Sequence, residues 1–129
     1  MKYLLDTHAI LWYLFGDSRL SKKAKKIIES NECFFSYASF WEISIKQSKK
    51  KLEFAHNIFE INDMCVRSGF SKLPVTLNDF NQIRNLPFYE DIKHNDPFDR
   101  ILISQAMNNN LIIVSCDEKI PLYNVKTVW

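Results

Sequence analysis

The chain has 129 residues, of which 47% are hydrophobic and 14% aromatic, which is enough apolar material for one domain with a buried core. With only two glycines and four prolines, the composition excludes a loop-dominated or disordered chain. The 17 basic and 15 acidic residues nearly balance, so the net charge alone does not indicate a nucleic-acid-binding protein.

The cysteines and the N-terminus bear on the cellular compartment. Cys33, Cys65 and Cys116 are few, odd in number and widely spaced, so they fit neither a disulfide framework nor a zinc site. We expect them to be buried free thiols in a reducing environment. Asp6 interrupts the first apolar run too early for a signal peptide, and no stretch approaches the roughly 18 apolar residues of a membrane span. The sequence therefore predicts a cytoplasmic protein that makes no membrane contact.

Apolar runs and helical periodicities alternate along the chain. We predict strands at 2–6, 33–36, 70–75, 111–115 and 125–128, and helices at 9–15, 22–30, 40–49, 57–68, 77–86 and 97–108, with an irregular loop at 87–95. This alternation predicts an α/β fold in one domain over residues 1–129, a three-layer α/β/α sandwich with a central, mainly parallel sheet. Pro74 lies inside the third strand, which favours an edge position because proline cannot donate a ladder hydrogen bond.

Acidic side chains follow two of these strands directly. Asp6 ends the first strand and Asp117 follows the strand at 111–115. Because the carboxyl ends of parallel strands meet at one sheet edge, both side chains should lie at that edge, where open α/β sheets bind their ligands. Asp99 in the first turn of the helix at 97–108, and Glu42 in the first turn of the helix at 40–49, can face the same edge.

Two of these acids also have a purely structural interpretation in their own segments. Asp6 or the neighbouring Thr7 could simply cap the first helix, since both residue types do so. Glu42 could complete a capping box with Ser39, or form an ion pair with Lys46 one turn later. The residues alone leave these alternatives open.

The remaining acids have similar alternatives. Asp99 could act only on the helix dipole, and Asp117 could open the turn at 117–119. Asp96 precedes Pro97 and is predicted to be mainly an N-cap, so we leave it out of the site.

The four acids together are harder to explain structurally, because carboxylates that converge repel one another. At ~4 Å each pair costs about 4 kcal/mol at an effective dielectric of about 20. A bound cation would offset this repulsion, and carboxylates with no histidine or cysteine cluster favour Mg²⁺ or Mn²⁺ over zinc. Such ions polarise a phosphoryl oxygen and activate water for attack on a phosphodiester.

Four segments carry these acids in order: LLDTHA at 4–9, WEI at 41–43, DPFDRILI at 96–103 and IVSCD at 113–117. Together they resemble the motifs of PIN-domain ribonucleases, and most closely the VapC toxins of toxin–antitoxin pairs. The resemblance implies that Asp6, Glu42, Asp99 and Asp117 are catalytic, bind one or two Mg²⁺ or Mn²⁺ ions, and cleave RNA endonucleolytically. It also implies a parallel sheet with the N-terminal strand in the middle, a homodimer, and inhibition by an antitoxin protein whose C-terminal arm packs over the groove.

Several neighbours of the acids are candidate supporting residues. The hydroxyls of Thr7 and Ser115 could orient a carboxylate or a metal-bound water, with capping an equal alternative for Thr7. Arg100 could pair with an acid or contact a phosphate. His8 is interpreted as structural or substrate-orienting rather than as a general base, because metal-activated water in this family needs no histidine. His56 and His94 are expected at the surface.

Two lysine clusters and several aromatic residues have less specific interpretations. The lysines are mainly a solvated face, but they could hold the RNA backbone if they flank the acids: Lys22, Lys23, Lys25, Lys26, Lys46, Lys49, Lys50 and Lys51. Phe40 and Trp41 are interpreted as core or interface, and Trp12 and Phe15 as plausible antitoxin contacts.

Two other functions compete with the nuclease. A phosphoacceptor receiver domain would need an aspartate after a middle strand, but the second and third strands run into Ser36-Tyr37 and Val75-Thr76. A catalytically idle PIN-like module that binds protein or RNA fits the same fold, although all four acids are present.

Overall fold

The central sheet has the predicted layout. The computed structural model describes residues 1–50, 56–88 and 95–129. Its five strands are all parallel, in the order β3-β2-β1-β4-β5, and they cover Lys2–Leu5 (β1), Glu32–Ser36 (β2), Ser71–Leu73 (β3), Ile112–Val114 (β4) and Thr127–Val128 (β5). β1 lies in the middle, and β3, followed by Pro74, lies at an edge. The predicted central position of β1 and edge position of the third strand are confirmed, although that strand ends before Pro74 rather than containing it.

Six helices surround this sheet in the described ranges. They are Thr7–Leu14 (α1), Lys22–Ser30 (α2), Tyr37–Ser48 (α3), Ile58–Arg67 (α4), Leu77–Ile83 (α5) and Pro97–Asn109 (α6). A 3₁₀ turn at Ile120–Leu122 was not predicted. It carries the fully buried Ile120, so packing rather than propensity fixes it. In the part of the chain that the structure describes, no helix is long and apolar enough to cross a membrane.

The core lies on both faces of the sheet, as a three-layer sandwich requires. Successive residues of a strand point to opposite faces, so Tyr3 and Leu5 pack in one cluster and Leu4 in the other. The first cluster takes the apolar faces of α1 to α4, and the second takes α6 with Leu86 and Ile120. The α/β/α prediction is confirmed.

Helix α3 begins earlier than predicted. Its first residue is Tyr37 rather than Phe40, because Ser36 ends β2 and its Oγ accepts the Ala38 N–H at 3.0 Å, so strand passes into helix without a loop. The proposed capping box between Ser39 and Glu42 is therefore wrong. Glu42 lies in the second turn of α3, not in the first.

One thiol differs from the prediction. Cys33 and Cys65 are buried as expected, but Cys116 is exposed. β4 ends at Val114, so Cys116 lies in the turn beyond the sheet, where no second layer covers it.

Part of the predicted loop at 87–95, including His94, and Lys51 of the second lysine cluster lie outside the described residues.

A buried glutamine ties together the helices that carry Glu42 and Asp99. Gln105 of α6 is fully buried, and its Oε1 accepts a hydrogen bond of 2.5 Å from Ser36 Oγ, the N-cap of α3. Its Nε2 donates to the Pro74 carbonyl at 3.3 Å. One side chain therefore links α6, the start of α3 and the end of β3.

We expect Gln105→Ala to lower the free energy of unfolding by about 2–4 kcal/mol, because it opens a cavity and leaves buried polar groups without partners. Urea denaturation followed by circular dichroism measures the change. Asn109→Ala, at an exposed position on the same helix, should cost under about 1 kcal/mol. Equal losses in the two variants would contradict this role for Gln105.

Candidate metal centre

Backbone pairing between β1 and β4 fixes the position of Asp6. Beyond the last paired residue of β1, the Asp6 N–H donates to the Val114 carbonyl at 3.1 Å, so the ladder continues by one bond. The carboxylate then caps α1, because its Oδ1 accepts the Ala9 N–H at 2.8 Å. The capping role belongs to Asp6 and not to Thr7. It leaves the second carboxylate oxygen available for other contacts.

Ser115 connects the two acids that follow strands. Its side chain is near enough to the Asp6 carboxylate to lower the pKa of Asp6, and its hydroxyl accepts the Asp117 N–H at 3.1 Å. Asp117 also opens the predicted turn, since its Oδ1 accepts the Lys119 N–H at 2.9 Å. Ser115 is buried, whereas Asp117 is half-buried at the rim. The structure thus brings Asp6, Ser115 and Asp117 together at the carboxyl edge of the sheet.

Thr7 carries the link to α3. Its Oγ1 lies 2.6 Å from Glu42 Oε1 and 3.0 Å from Ser39 Oγ. A hydroxyl has one proton, so Thr7 donates it to the carboxylate and accepts from Ser39. Of the two roles predicted for Thr7, the structure therefore favours orienting a carboxylate.

The other oxygen of Glu42 is engaged by a lysine. Lys46 Nζ lies 2.7 Å from Glu42 Oε2 in the predicted ion pair one helical turn apart. The Glu42 side chain is only 11% exposed, so this pair is shielded from water on the carboxylate side. Lys46 is the nearest cation to the acids among these contacts.

Burial and crowding change the protonation of Asp6. Desolvation, the larger effect, raises the pKa of Asp6 to about 6, and the charges of Glu42 and Asp117 add to it. The hydrogen bonds from Ser115 and Ala9 act in the opposite direction. Glu42 and Asp117 are therefore near enough to Asp6 for their charges to affect its pKa.

Asp99 approaches the same edge from α6. It lies half-buried in the first turn, immediately after Asp96, which caps the helix by accepting the Phe98 and Asp99 N–H groups at 2.8 and 3.1 Å. The preceding Phe98 packs edge-on against Trp41 of α3, with ring centroids 4.6 Å apart. Glu42 and Asp99 directly follow Trp41 and Phe98, whose rings are in contact, so the backbones that carry the two acids lie close together. The capping role predicted for Asp96 is confirmed.

Arg100 is turned into the interior. It is only 5% exposed, and its guanidinium donates to the carbonyls of Pro87 and Leu86 at 2.9 and 3.3 Å and to the Tyr123 hydroxyl at 3.2 Å. It also lies 4.2 Å over the ring of Phe88. These contacts favour anchoring of the 86–88 segment beside α6 over the contact with an acid or phosphate that its position suggested.

His8 lies at the rim of the site. Its ring stacks on Trp12 with centroids 5.2 Å apart. Burial and the nearby Lys46 lower the pKa of His8, so its neutral form is favoured.

Sequence reasoning missed Ser39 as a site residue and treated Lys46 mainly as part of a charged surface. Both follow from the periodicity of α3, in which positions 39, 42 and 46 are three and four residues apart and share a helix face. The signal was present, but the late start assigned to the helix made Ser39 look like a cap.

The donor set suits a hard divalent cation. Asp6, Glu42, Asp99 and Asp117 supply only carboxylate oxygens, which Mg²⁺ and Mn²⁺ prefer. Within residues 1–50, 56–88 and 95–129, however, no three acidic, histidine or cysteine side chains are grouped closely enough to hold a metal ion as they stand. Both oxygens of Glu42 are instead engaged by Thr7 and Lys46. The residues fit the chemistry of such an ion, and its binding would require Glu42 to change partners.

Comparison with solved structures shows the same fold in three other proteins, one of which is a toxin–antitoxin complex. The chain matches VapBC2 from Rickettsia felis, bound to a promoter DNA fragment, with a TM-score of 0.72 and 15% identity over 99% of this chain and 98% of that one. It matches a toxin–antitoxin complex from Klebsiella pneumoniae (TM-score 0.63, 18% identity, 98% and 96% covered). It also matches FitAcB from Neisseria gonorrhoeae (TM-score 0.58, 16% identity, 100% and 97% covered).

A search of curated proteins by sequence gave no significant match. A family model, by contrast, spans almost the whole chain. It matches residues 3–126, from β1 to just before β5, and so includes all four acids at the carboxyl edge of the sheet. The chain therefore belongs to the PIN domain family.

Proposed function

We propose that this protein is a divalent-metal-dependent endoribonuclease that acts as the toxin of a toxin–antitoxin pair. As a PIN domain it is a nuclease by class. RNA as the substrate, Mg²⁺ or Mn²⁺ as the cofactor, and a homodimer as the working form are the finer parts of the proposal. The antitoxin partner is supported by the complexes that share this fold.

One observation supports the catalytic site more than any other: Asp6 is buried at the carboxyl edge of the sheet, and the neighbouring hydroxyls of Thr7 and Ser115 bind Glu42 and the backbone of Asp117. A buried carboxyl whose pKa is raised both by desolvation and by two further carboxylates is costly for the fold alone. Strongly perturbed groups of this kind concentrate at functional sites. The proposal assigns the metal-binding and catalytic roles to these three acids and Asp99.

The chain's own residues have distinct tasks under this proposal. Asp6, held by Val114, Ala9 and Ser115, is the fixed ligand at the centre of the edge. Thr7 orients Glu42 from within the site. A bound Mg²⁺ or Mn²⁺ would polarise the phosphoryl oxygen and lower the pKa of attacking water.

Lys46 acts as the internal counter-ion of Glu42 under the same proposal. Its ammonium offsets part of the negative charge of the acids when no cation is bound. Asp99 and Asp117 complete the acidic set from α6 and from the turn after β4.

A catalytically idle binding module is the second candidate. It is favoured by the absence of a three-residue metal grouping in the described part of the chain and by the engagement of both Glu42 oxygens. Cleavage of RNA distinguishes the two candidates, whereas partner binding does not.

We expect purified protein, freed of any partner, to cut a pool of cellular RNA at discrete positions in Mg²⁺ or Mn²⁺ and to leave it intact in EDTA. Asp99→Asn should lower the cleavage rate about 100-fold or more, because it removes one carboxylate of the proposed metal site. Asp63→Asn, at an exposed acid on α4, is the matched control and should cut normally. Intact RNA with wild-type protein in both metals would favour the idle module.

Asp6 gives a prediction on pH. Its folded-state pKa of about 6 lies above the ordinary value of 3.8 for an aspartate, so it contributes stability below pH 4 that is lost as the pH rises through 6. In EDTA, Asp6→Asn should therefore raise the free energy of unfolding relative to wild type, by up to about 3 kcal/mol at pH 7.5 and by little at pH 4. Asparagine also caps helices, so the cap is retained.

Urea denaturation of both proteins at several pH values measures this difference. Mg²⁺ should then stabilise the wild type and not the variant, because the ligand is gone. If the difference in free energy of unfolding between wild type and Asp6→Asn does not change with pH, Asp6 ionises normally in the folded protein.

Lys46 gives a prediction on metal affinity. Lys46→Met removes the cation that competes for Glu42, so the variant should bind Mn²⁺ about three- to tenfold more tightly. Titration followed by electron paramagnetic resonance of free Mn²⁺ measures the affinity. Lys49→Met, at an exposed lysine directly after the end of the same helix, should change it less than twofold. Weaker binding by Lys46→Met would instead assign Lys46 a supporting role at the metal.

A further inference from the structure

An exposed pair of aromatic side chains stands beside the acids and has no role in the chemistry above. Trp41 is 52% exposed, although tryptophan is usually largely buried. Its ring contacts Phe98 edge-on, at 4.6 Å between centroids and 72° between planes. Each ring belongs to the residue before a proposed catalytic acid, Glu42 or Asp99.

We propose that Trp41, supported by Phe98, is a stacking platform for an unpaired base of the RNA next to the cleaved phosphodiester. The inference rests on the proposed function and deepens it, since it assigns recognition of a base to residues outside the four acids. Aromatic side chains stack on any base that is free of its own helix. The bases of a duplex are already stacked and paired, so a duplex offers no such face along its length.

The geometry of α3 places Trp41, the proposed base-stacking residue, next to Glu42, a proposed catalytic acid. Neighbouring residues of a helix are rotated by about 100°, so Glu42 faces the site while Trp41 faces solvent. Phe98 fixes the Trp41 ring from the side, because edge-to-face contact restricts its rotation. A ring held in this way loses little conformational entropy when a base stacks on it.

The surroundings favour RNA over a protein partner. Lys49 and Lys50 are exposed and follow directly after the last residue of α3, with Lys49 about 12 Å along the helix axis from Trp41. Aromatic rings combined with a basic track are the usual composition of a single-strand site. The centre of a protein interface is instead depleted in lysine, glutamate and aspartate, all of which flank this pair.

The test is RNA binding without cleavage, so that it does not depend on nuclease activity. The parent protein carries Asp6→Asn, and gel electrophoresis checks that the RNA stays intact. Because Asp6→Asn removes a proposed metal ligand, fluorescence anisotropy is measured without divalent metal and compares a hairpin with a single-stranded loop against a fully paired duplex of equal length. The variants are Trp41→Ala, Trp41→Phe, and Phe59→Ala as a control at another exposed aromatic, on α4.

We expect Trp41→Ala to weaken binding of the looped RNA about 5- to 100-fold and to leave duplex binding unchanged. Trp41→Phe should keep most of the affinity, and Phe59→Ala all of it. Stacked bases should also quench tryptophan emission in the parent, and this quenching should be lost in Trp41→Phe. If Trp41 had only a structural role, Trp41→Phe would not combine retained RNA affinity with lost quenching.

Three results would overturn the platform. The first is that the parent does not bind looped RNA, and the second is that the parent and Trp41→Ala bind it with equal affinity. The third is that sedimentation shows Trp41→Ala to be a monomer while its affinity for RNA is unchanged, which would assign the ring to a protein interface. None of these decides whether the wild type cuts RNA. Conversely, binding that depends on Trp41 would support the platform even if wild-type protein left RNA intact.

Discussion

The site depends on one backbone contact, the hydrogen bond from the Asp6 N–H to the Val114 carbonyl. It extends the pairing of β1 and β4 by one residue and so aligns the ends of both strands. Ser115 then lies beside the Asp6 carboxylate, and Asp117 follows at the rim. Asp6 also starts α1, which brings Thr7 to Glu42. Strand register thus determines which acids meet, because side chains have little freedom once the backbones are paired.

The same contact creates an electrostatic cost that the surrounding residues only partly offset. Asp6 is buried near two other carboxylates, and its pKa is raised mainly by desolvation and to a smaller extent by these charges. Donated hydrogen bonds from Ser115 and Ala9 favour the ionised form of Asp6, and Lys46 neutralises Glu42. Since folding selects against uncompensated charge, the persistence of this arrangement is explained best by a function that needs the acids.

The sequence predicted the strands, the layers and the acids at the strand ends, because short apolar runs that end in aspartate have few other interpretations. It did not predict the start of α3, since a capping serine at the last position of a strand leaves no loop to recognise. The interior position of Arg100 depends on the carbonyls of residues 86 and 87, which only tertiary packing brings near. The exposure of Cys116 depends in the same way on where β4 ends.

Helix α3 shows why the start of a helix matters for function. A shift of one residue would rotate every side chain by about 100° and exchange the outward Trp41 for the inward Glu42. Ser36 caps the helix and is itself held by the buried Gln105, so the start of α3 is fixed from two sides. The face toward the acids carries Ser39, Glu42 and Lys46, while the neighbouring face carries Trp41. A single cap therefore sets both the orientation of the acid and the position of the ring beside it.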